Sequence, residues 1–444
     1  MERQILENIT IGKLMYSDAC IVRRDGEKSI FVHGGAPGDL ADVEITKEHA
    51  NYLEAAIVDI KSPSPYRRKP ASQLISETAA APWMHLEYAC QLEAKRDHII
   101  DALVHIAHKP LEYALAVTQD IVQNEHEFHY RNKIELSTSY VTKSGRKQLS
   151  LGYFDRNYNL RALNKCILAH KAISKAPKSL QGALSFVEGN ANMNLVRVGL
   201  RHSERTGDTE LALWTLPGAF PHKMIAKVLP SALDVCSIVR IIVDKDTKRK
   251  VKKLEGVYGK SCWQERLSNK TFLVSAPSFF QVNTQGAERL INSVSDHLRC
   301  NKSMVLADLY AGTGTFGVAL APQVDCVVAI EAEKSAVRDL RRNASINHCD
   351  IEVIGGTTER ELEGILPLDA LIVDPPRSGL DKACPRLIAQ TKVKRFAYVS
   401  CNPTTWARDL VRLEACGYKL QTVIPHDLFP QTYHVELVSI FTKE

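Results

Sequence analysis

The chain has 444 residues, of which 45% are hydrophobic, 24% charged and 7% aromatic. These proportions are typical of folded globular proteins and exclude a disordered, collagen-like or coiled-coil chain, while the length suggests about three domains. Lysine and arginine outnumber aspartate and glutamate by 57 to 51, and the resulting net charge of +6 mildly favours a polyanionic partner.

The first residues contain no apolar segment behind a basic one, and no apolar run in the chain approaches the roughly 20 residues that cross a bilayer, so we expect a cytoplasmic protein.

Residues 1–67 predict a small β-barrel. Glycine-rich turns separate five β-rich runs: 9–14, 19–23, 29–32, 42–46 and 53–60. Five short strands fit a barrel of the OB type, which commonly binds oligonucleotides. A barrel that contacts only protein is the alternative.

Residues 68–266 predict a central α+β domain, which follows a proline-rich, basic linker at 61–70. A helix is predicted at 86–103, with Lys95, Arg96 and Asp97 on its solvated side. Strands are predicted at 134–140, 183–187, 195–200 and 235–243. The last strand leads into a lysine-rich run at 245–253, which we interpret as a solvated hairpin tip. Contact with phosphates is the alternative.

Residues 267–444 alternate strand and helix, which predicts an α/β fold with a parallel sheet covered by helices. The predicted parallel strands include 304–309, 326–330, 370–373 and 396–399. The last two strands, 419–424 and 435–441, are joined by a loop too short for a crossover helix. They are therefore predicted to form an antiparallel pair.

The carboxyl ends of these strands predict a nucleoside-binding site, because ligands of open α/β sheets bind there. Gly312 and Gly314 follow the first strand, and Glu331 ends the next one, as in sites where a carboxylate accepts from ribose hydroxyls. A nicotinamide dehydrogenase would share these features. The third glycine of the dinucleotide fingerprint is missing, and the antiparallel last strand favours a Rossmann-like methyltransferase, so S-adenosylmethionine is the predicted cofactor.

Two further motifs concern the target of methylation. Asp374-Pro375-Pro376-Arg377 places a carboxylate at a rigid corner. Related corners serve amino-group methylation of bases, so a nitrogen target stays open, although Arg377 in place of an aromatic residue favours carbon. Cys401 precedes a predicted helix whose amides would favour a thiolate. Most cysteines at such positions are inert core residues, but a thiolate here could add to carbon six of uracil and activate carbon five.

Glu436, at the start of the final strand, is the candidate base that removes the proton from carbon five. It alternates with Val435 and Leu437, so it points to the opposite face from these apolar residues. A carboxylate in an apolar setting has a raised pKa, which suits proton transfer. The alternative is a surface glutamate on an edge strand.

Five ordered motifs closely resemble those of the uracil-5 RNA methyltransferases: SFFQVN (278–283), DLYAGTGTF (308–316), DPPRSG (374–379), SCNP (400–403) and FPQTYHVE (429–436). In addition, FVHGGAPGD (31–39) resembles the TRAM domain of that family, and YRNK (130–133) resembles a signature of its central domain. The resemblance therefore covers nearly the whole chain.

The resemblance implies a role for each matching residue. Cys401 would be the nucleophile and Glu436 the base, and the residues lining the cofactor and uracil pocket would be Gln281, Tyr310, Gly312, Gly314, Thr315, Glu331 and Asp374. The partner would be RNA, with the target uridine flipped out of its fold. The TRAM-like domain favours 23S ribosomal RNA over transfer RNA. We expect a monomer with no membrane partner.

The alternatives left open are a methyltransferase of the transfer RNA T-loop and a catalytically silent RNA-binding assembly factor. Members of the family with an iron–sulfur cluster carry cysteines in the segment that here reads ETAAAPW (77–83). None of the eleven cysteines forms a CxxC pair, so we expect no cluster and no other metal site. No side-chain partner for adenine is evident near Gly356 and Thr357, so a backbone contact is expected there.

Overall fold

The structure is a computed structural model that describes residues 4–143, 146–189, 193–248, 250–365 and 367–444. The chain divides into two compact units, one formed by Met1–Glu127 with Ile424–Glu436 and the other by Phe128–Val423 with Leu437–Glu444. The domain boundaries after residues 67 and 266 stay predictions. Among the described residues, no helix combines the length and the apolar character needed to span a membrane.

The described residues of the first unit form a five-stranded sheet and three helices. The five predicted strands are present, but the first covers Ile5–Thr10 and ends earlier than expected. The sheet order is β1-β4-β5-β3-β2. The strands are β1 Ile5–Thr10, β2 Ala19–Val22, β3 Ser29–His33, β4 Leu40–Glu48 and β5 Tyr52–Ser62, and the helices are α1 Gln73–Ser76, α2 Tyr88–His105 and α3 Leu111–Val117.

The segment after β1 closes this sheet into a barrel. Ile21 N–H donates to the Lys13 carbonyl at 2.9 Å, and Met15 N–H donates to the Ala19 carbonyl at 3.0 Å. The chain that continues β1 therefore also pairs with β2, at the other edge of the sheet. A Cβ at Gly12 would overlap the Ile21 carbonyl oxygen, so this close approach requires glycine.

Helix α2 has one face that the sequence analysis misassigned. Asp97 is exposed as predicted, but Lys95 is completely buried. Its Nζ lies 2.6 Å from Asp427 Oδ1 and donates to the Phe429 carbonyl at 3.1 Å. The prediction of a solvated Lys95 is wrong, because its partner comes from the far end of the chain and completes a buried ion pair.

The second unit begins with a seven-stranded sheet of order β12-β11-β10-β9-β6-β7-β8 and a separate hairpin, β13-β14. The strands β11 and β12 are antiparallel, as a hairpin requires, but the lysine-rich run at 245–253 that was predicted as its tip continues into β12. Residue 249 lies outside the described residues, and contact with phosphates stays a prediction. The strands are β6 Lys133–Lys143, β7 Arg146–Phe154, β8 Leu160–Ala162, β9 Leu195–His202, β10 Thr209–Thr215, β11 Ser237–Val243, β12 Val251–Gly259, β13 Trp263–Leu267 and β14 Lys270–Val274.

The helices of this region are α4 Ala176–Glu188 and α5 His222–Leu233. The strand predicted at 183–187 is wrong, because these residues belong to α4. Leu180, Leu184 and Val187 are buried at helical spacing, and this longer pattern outweighs the local apolar run.

The remaining sheet of the second unit has the order β17-β16-β15-β18-β19-β21-β20. Its strands are β15 Val305–Leu309, β16 Cys326–Glu331, β17 Ile351–Gly355, β18 Ala370–Val373, β19 Arg395–Ser400, β20 Lys419–His426 and β21 Glu436–Thr442. The first five are parallel, β21 is antiparallel to β19, and the last two strands are neighbours. This confirms the predicted α/β class. The helices are α6 Thr284–Leu298, α7 Thr315–Leu320, α8 Lys334–Ile346, α9 Thr358–Glu361, α10 Cys384–Gln390 and α11 Pro403–Ala415.

Candidate active site

The parallel strands bring the predicted ligand-binding residues to one edge of the sheet. The register pairs Leu309 with Ile330 on one side and with Val373 on the other. The next residues along these three strands, Tyr310, Glu331 and Asp374, therefore follow at the same edge.

The loop between β15 and α7 is shaped by two glycines with left-handed backbones. Gly312 has φ 58° and Gly314 has φ 91°. A Cβ at Gly314 would overlap the Leu340 side chain, whereas the space beside Gly312 is open. Thr315 then begins α7. The loop thus leaves the backbone near Gly312 accessible to a flat or extended ligand.

Glu331 is tied to this loop by its carboxylate. Oε2 accepts the Gly312 N–H at 2.8 Å, and Oε1 accepts the Glu333 N–H at 2.6 Å. A carboxylate offers about four acceptor positions, so two remain for hydroxyl donors. This arrangement fits the predicted contact with a ribose.

Asp308 is a charged residue in the buried strand β15, and the sequence analysis did not select it. Oδ2 accepts the Gly317 N–H at 2.8 Å, while Oδ1 has no hydrogen-bond partner among the described residues. Burial raises the pKa of Asp308 to about 7, and the negative charge of Glu331 adds to this rise. A lone aspartate between apolar strand residues was the sequence feature that could have identified it.

Asp374 follows β18 and is enclosed by protein atoms, although part of its surface still contacts solvent. Burial raises its pKa to about 8, and the neighbouring charge of Asp308 acts in the same direction. Together with Glu331, these two groups form a cluster of carboxyl groups at the edge of the sheet. A cationic ligand would stabilise their ionised forms.

Tyr310 has a left-handed backbone, with φ 61°, that directs the chain into the glycine loop. Its hydroxyl donates to Glu359 Oε1 at 2.9 Å and lies 3.2 Å from Cys384 Sγ. Burial raises the pKa of Tyr310 and also raises that of the Cys384 thiol, to about 12. Glu359 was missed in the sequence, where nothing distinguishes it from the neighbouring glutamates at 361 and 363.

Gln281 lies in the segment between β14 and α6. It is buried, and its carbonyl accepts from Asn132 Nδ2 at 3.0 Å. Asn132 belongs to the YRNK signature, so two motifs far apart in the sequence meet at this point. Asn283 then caps α6 by accepting the Gly286 N–H at 2.9 Å.

Cys401 lies between β19 and α11 and is partly exposed. The predicted helix after it is present, capped by Asn402, whose Oδ1 accepts the Thr404 N–H at 3.0 Å. Asn402 Nδ2 and Thr405 Oγ1 each donate to the Arg377 carbonyl at 3.2 Å. These bonds join the cysteine loop to the Asp374-Pro375-Pro376-Arg377 corner.

Glu436 is the first residue of β21 and is 6% exposed. The next residue, Leu437, pairs with Ser400 of β19. Glu436 belongs to the first unit and Cys401 to the second, so their joint action stays a prediction.

The residues at the sheet edge fit S-adenosylmethionine on three counts. The open space at Gly312 admits a ligand, Glu331 retains acceptors for ribose hydroxyls, and the carboxyl groups of Asp308 and Asp374 complement a cation. S-adenosylmethionine carries positive charge on its sulfonium and amino groups. Among the described residues, no set of histidine, cysteine, aspartate or glutamate side chains is arranged to hold a metal ion.

Comparison with protein families gives two matches. The profile of the tRNA (Uracil-5-)-methyltransferase family matches residues 238–444, and that of the TRAM domain matches residues 2–58. An uncharacterised RNA methyltransferase of Synechocystis is 31% identical over 94% of this chain and 92% of its own. Another, from Caldanaerobacter subterraneus, is 31% identical over 99% of this chain and 100% of its own.

A solved structure with the same fold is that of the Pyrococcus abyssi tRNA (uracil-54, C5)-methyltransferase in complex with S-adenosyl-L-homocysteine. The TM-score is 0.76 and the identity 25%, over 98% of this chain and 99% of the other. The similarity includes both the N-terminal barrel and the Rossmann-like sheet.

Proposed function

This chain belongs to the RNA uracil-5 methyltransferase family, and from that premise we propose that it methylates carbon five of one uridine in a structured RNA, namely 23S ribosomal RNA. S-adenosylmethionine is the proposed methyl donor, since the carboxyl groups at the sheet edge fit it and the Pyrococcus enzyme holds S-adenosyl-L-homocysteine. The observation that carries the proposal is the linkage of the Cys401 loop to the Asp374 corner through the Arg377 carbonyl.

The proposed mechanism follows from the chemistry of uracil, whose carbon five is too weak a nucleophile by itself. The Cys401 thiolate adds to carbon six, which forms an S–C bond and moves electron density towards carbon five. S-adenosylmethionine, when bound, would supply the electrophilic methyl group. Carbon five would bond to this methyl group as the sulfur–methyl bond breaks, and S-adenosylhomocysteine would be the leaving group. The Glu436 carboxylate then accepts the proton from carbon five, and the thiolate leaves as the double bond re-forms.

Two substitutions separate these steps. Cys401→Ala should abolish methylation and leave RNA binding nearly intact, because phosphate contacts dominate affinity. Glu436→Gln should form the methylated covalent adduct and resolve it slowly, since an amide cannot accept the proton. A denaturing gel should show an RNA-linked protein band for Glu436→Gln and none for the double variant. A band in the double variant would identify another nucleophile.

The choice of RNA is the finer part of the proposal. The TRAM domain supports ribosomal RNA, whereas the Pyrococcus structure is that of a transfer RNA enzyme and favours the T-loop alternative. Mass spectrometry of both RNA classes from a deletion strain decides between them. Loss of 5-methyluridine from transfer RNA alone would reject the ribosomal choice.

The same RNA tests the remaining alternatives. A silent assembly factor would release no S-adenosylhomocysteine when incubated with RNA from the deletion strain, and an amino-group methyltransferase would give a product methylated on nitrogen without Cys401. We further propose that the protein acts in the cytoplasm. We also propose that it is a monomer, and light scattering of the purified protein can test this oligomeric state.

A further inference from the structure

Gln91 of helix α2 and Gln431 form a reciprocal pair of hydrogen bonds in the first unit. Gln431 N–H donates to Gln91 Oε1 at 2.8 Å, and Gln91 Nε2 donates to Gln431 Oε1 at 3.1 Å. Both side chains are completely buried. Gln431 lies five positions before Glu436 in the segment 427–436, which we call the base-bearing segment.

Gln431 has an unusual backbone for a residue with a side chain. Its φ is 71°, in the left-handed region that favours glycine. Its remaining polar atoms also have partners: the carbonyl accepts the Trp83 N–H, Oε1 accepts from Arg68, and Nε2 donates to Glu127. A strained backbone that so many contacts hold in place is typical of a functional segment.

The same face of α2 also holds the start of the base-bearing segment. Tyr88, Gln91 and Lys95 are spaced i, i+3 and i+7, which places them on one face of a helix. The Tyr88 hydroxyl donates to Asp427 Oδ2 at 2.7 Å, and Lys95 Nζ lies 2.6 Å from Asp427 Oδ1. Helix α2 therefore binds the segment at Asp427 and again at Gln431.

We propose that Gln91 is a positioning residue for Glu436, which it orients by holding Gln431 in the left-handed conformation. This inference rests on the proposed function, in which Glu436 accepts the carbon-five proton. Gln91 should therefore affect the rate at which Glu436 removes the proton but not the rate at which Cys401 forms the adduct. Small displacements of a catalytic group have large effects on rate.

The test measures both steps in a single turnover with the full chain and RNA from the deletion strain. Gln91→Met removes the hydrogen bonds at similar volume. Adduct formation should keep its wild-type rate, while adduct resolution should slow by about tenfold to a hundredfold. Leu103→Ala, about three turns further along the same helix, is the matched control for lost stability. It should lower the active fraction without changing the ratio of the two rates.

The outcomes separate this proposal from the proposed function. An unchanged ratio of rates in folded Gln91→Met overturns the positioning role, even if Glu436→Gln traps its adduct. A missing adduct in Glu436→Gln leaves Glu436 without its proposed role, whereas a wild-type protein that transfers no methyl group to RNA from the deletion strain overturns the proposed function itself. If Gln91→Met does not fold, the rates of adduct formation and adduct resolution are measured in Gln431→Gly, because glycine tolerates the left-handed backbone and lacks the side-chain bonds. Slower resolution at an unchanged rate of formation supports the positioning role, and an unchanged ratio of the two rates overturns it.

Discussion

The carboxyl groups of Asp308 and Asp374 give the candidate cofactor site a dependence on pH. The pKa of Asp374 is raised from 3.8 to about 8, so between these values the folded protein binds more protons than the unfolded chain. The contribution of this group to the free energy of unfolding is therefore present at low pH and is lost as pH rises through that window. A bound cation would reverse this effect by stabilising the ionised carboxylate.

We expect the dissociation constant for S-adenosylmethionine to decrease as the pH rises from about 6 to about 8. Binding in this range displaces a proton from Asp374, and a higher pH favours the release of that proton. Isothermal titration calorimetry in buffers of different ionisation enthalpy would measure the released proton. The amino group of the ligand titrates in the same range, so Asp374→Asn is the control. An identical pH dependence in the variant would contradict the assignment to Asp374.

The ion pair between α2 and the base-bearing segment is buried on both sides. Burial lowers the pKa of Lys95, and the charge of Asp427 opposes this shift. Asp427→Asn removes the counter-charge and should cost about 3–5 kcal/mol in the free energy of unfolding, measured with urea. The double variant Lys95→Met, Asp427→Leu should lose less, because it leaves no unpaired buried charge. If both variants lose the same free energy of unfolding, the loss in Asp427→Asn does not come from leaving the charge of Lys95 buried without a partner.

A glycine in helix α4 predicts a substitution that should stabilise the protein. Gly182 lies in the middle of the helix, and a Cβ there would meet no atom within 4 Å. Gly182→Ala should therefore stabilise the second unit by about 0.5–1 kcal/mol, seen as a higher melting temperature.

Gly12→Ala should instead destabilise the first unit and lower its melting temperature, since its Cβ would overlap the Ile21 carbonyl where the barrel closes.

The elements that the sequence predicted correctly are those whose cause lies within one short window. Strands β15, β16 and β18 are apolar runs followed by glycine, glutamate or aspartate, and both their type and their common edge were predictable. The run at 183–187 was misassigned because a short, mostly apolar run, here four apolar residues and Ser185, suits a strand as well as a helix. Lys95 was misassigned because its partner is 332 positions away and no local pattern reports it.

The whole chain carries eleven cysteines, and their positions predict a protein without an iron–sulfur cluster. Only Cys20 and Cys90 precede Cys166, so four thiolates cannot be assembled in the segment after the barrel. Protein purified under anaerobic conditions should be colourless. Iron and sulfide analysis provides the measurement, and stoichiometric amounts of both, with broad visible absorption, would contradict the prediction.

The N-terminal unit is completed by residues that the ribosome adds long after its first 127 residues. Lys95 and Asp427 are separated by 332 positions, and the other partner of α2, Gln431, follows later still. Domains generally fold in the order of their synthesis, but this unit must wait, with the side chains of Lys95 and Gln91 exposed, until residues 424–436 have been synthesised. A nascent chain stopped before residue 424 should therefore remain sensitive to protease in its first 127 residues and should bind chaperones there, although those residues emerge from the ribosome well before residue 424.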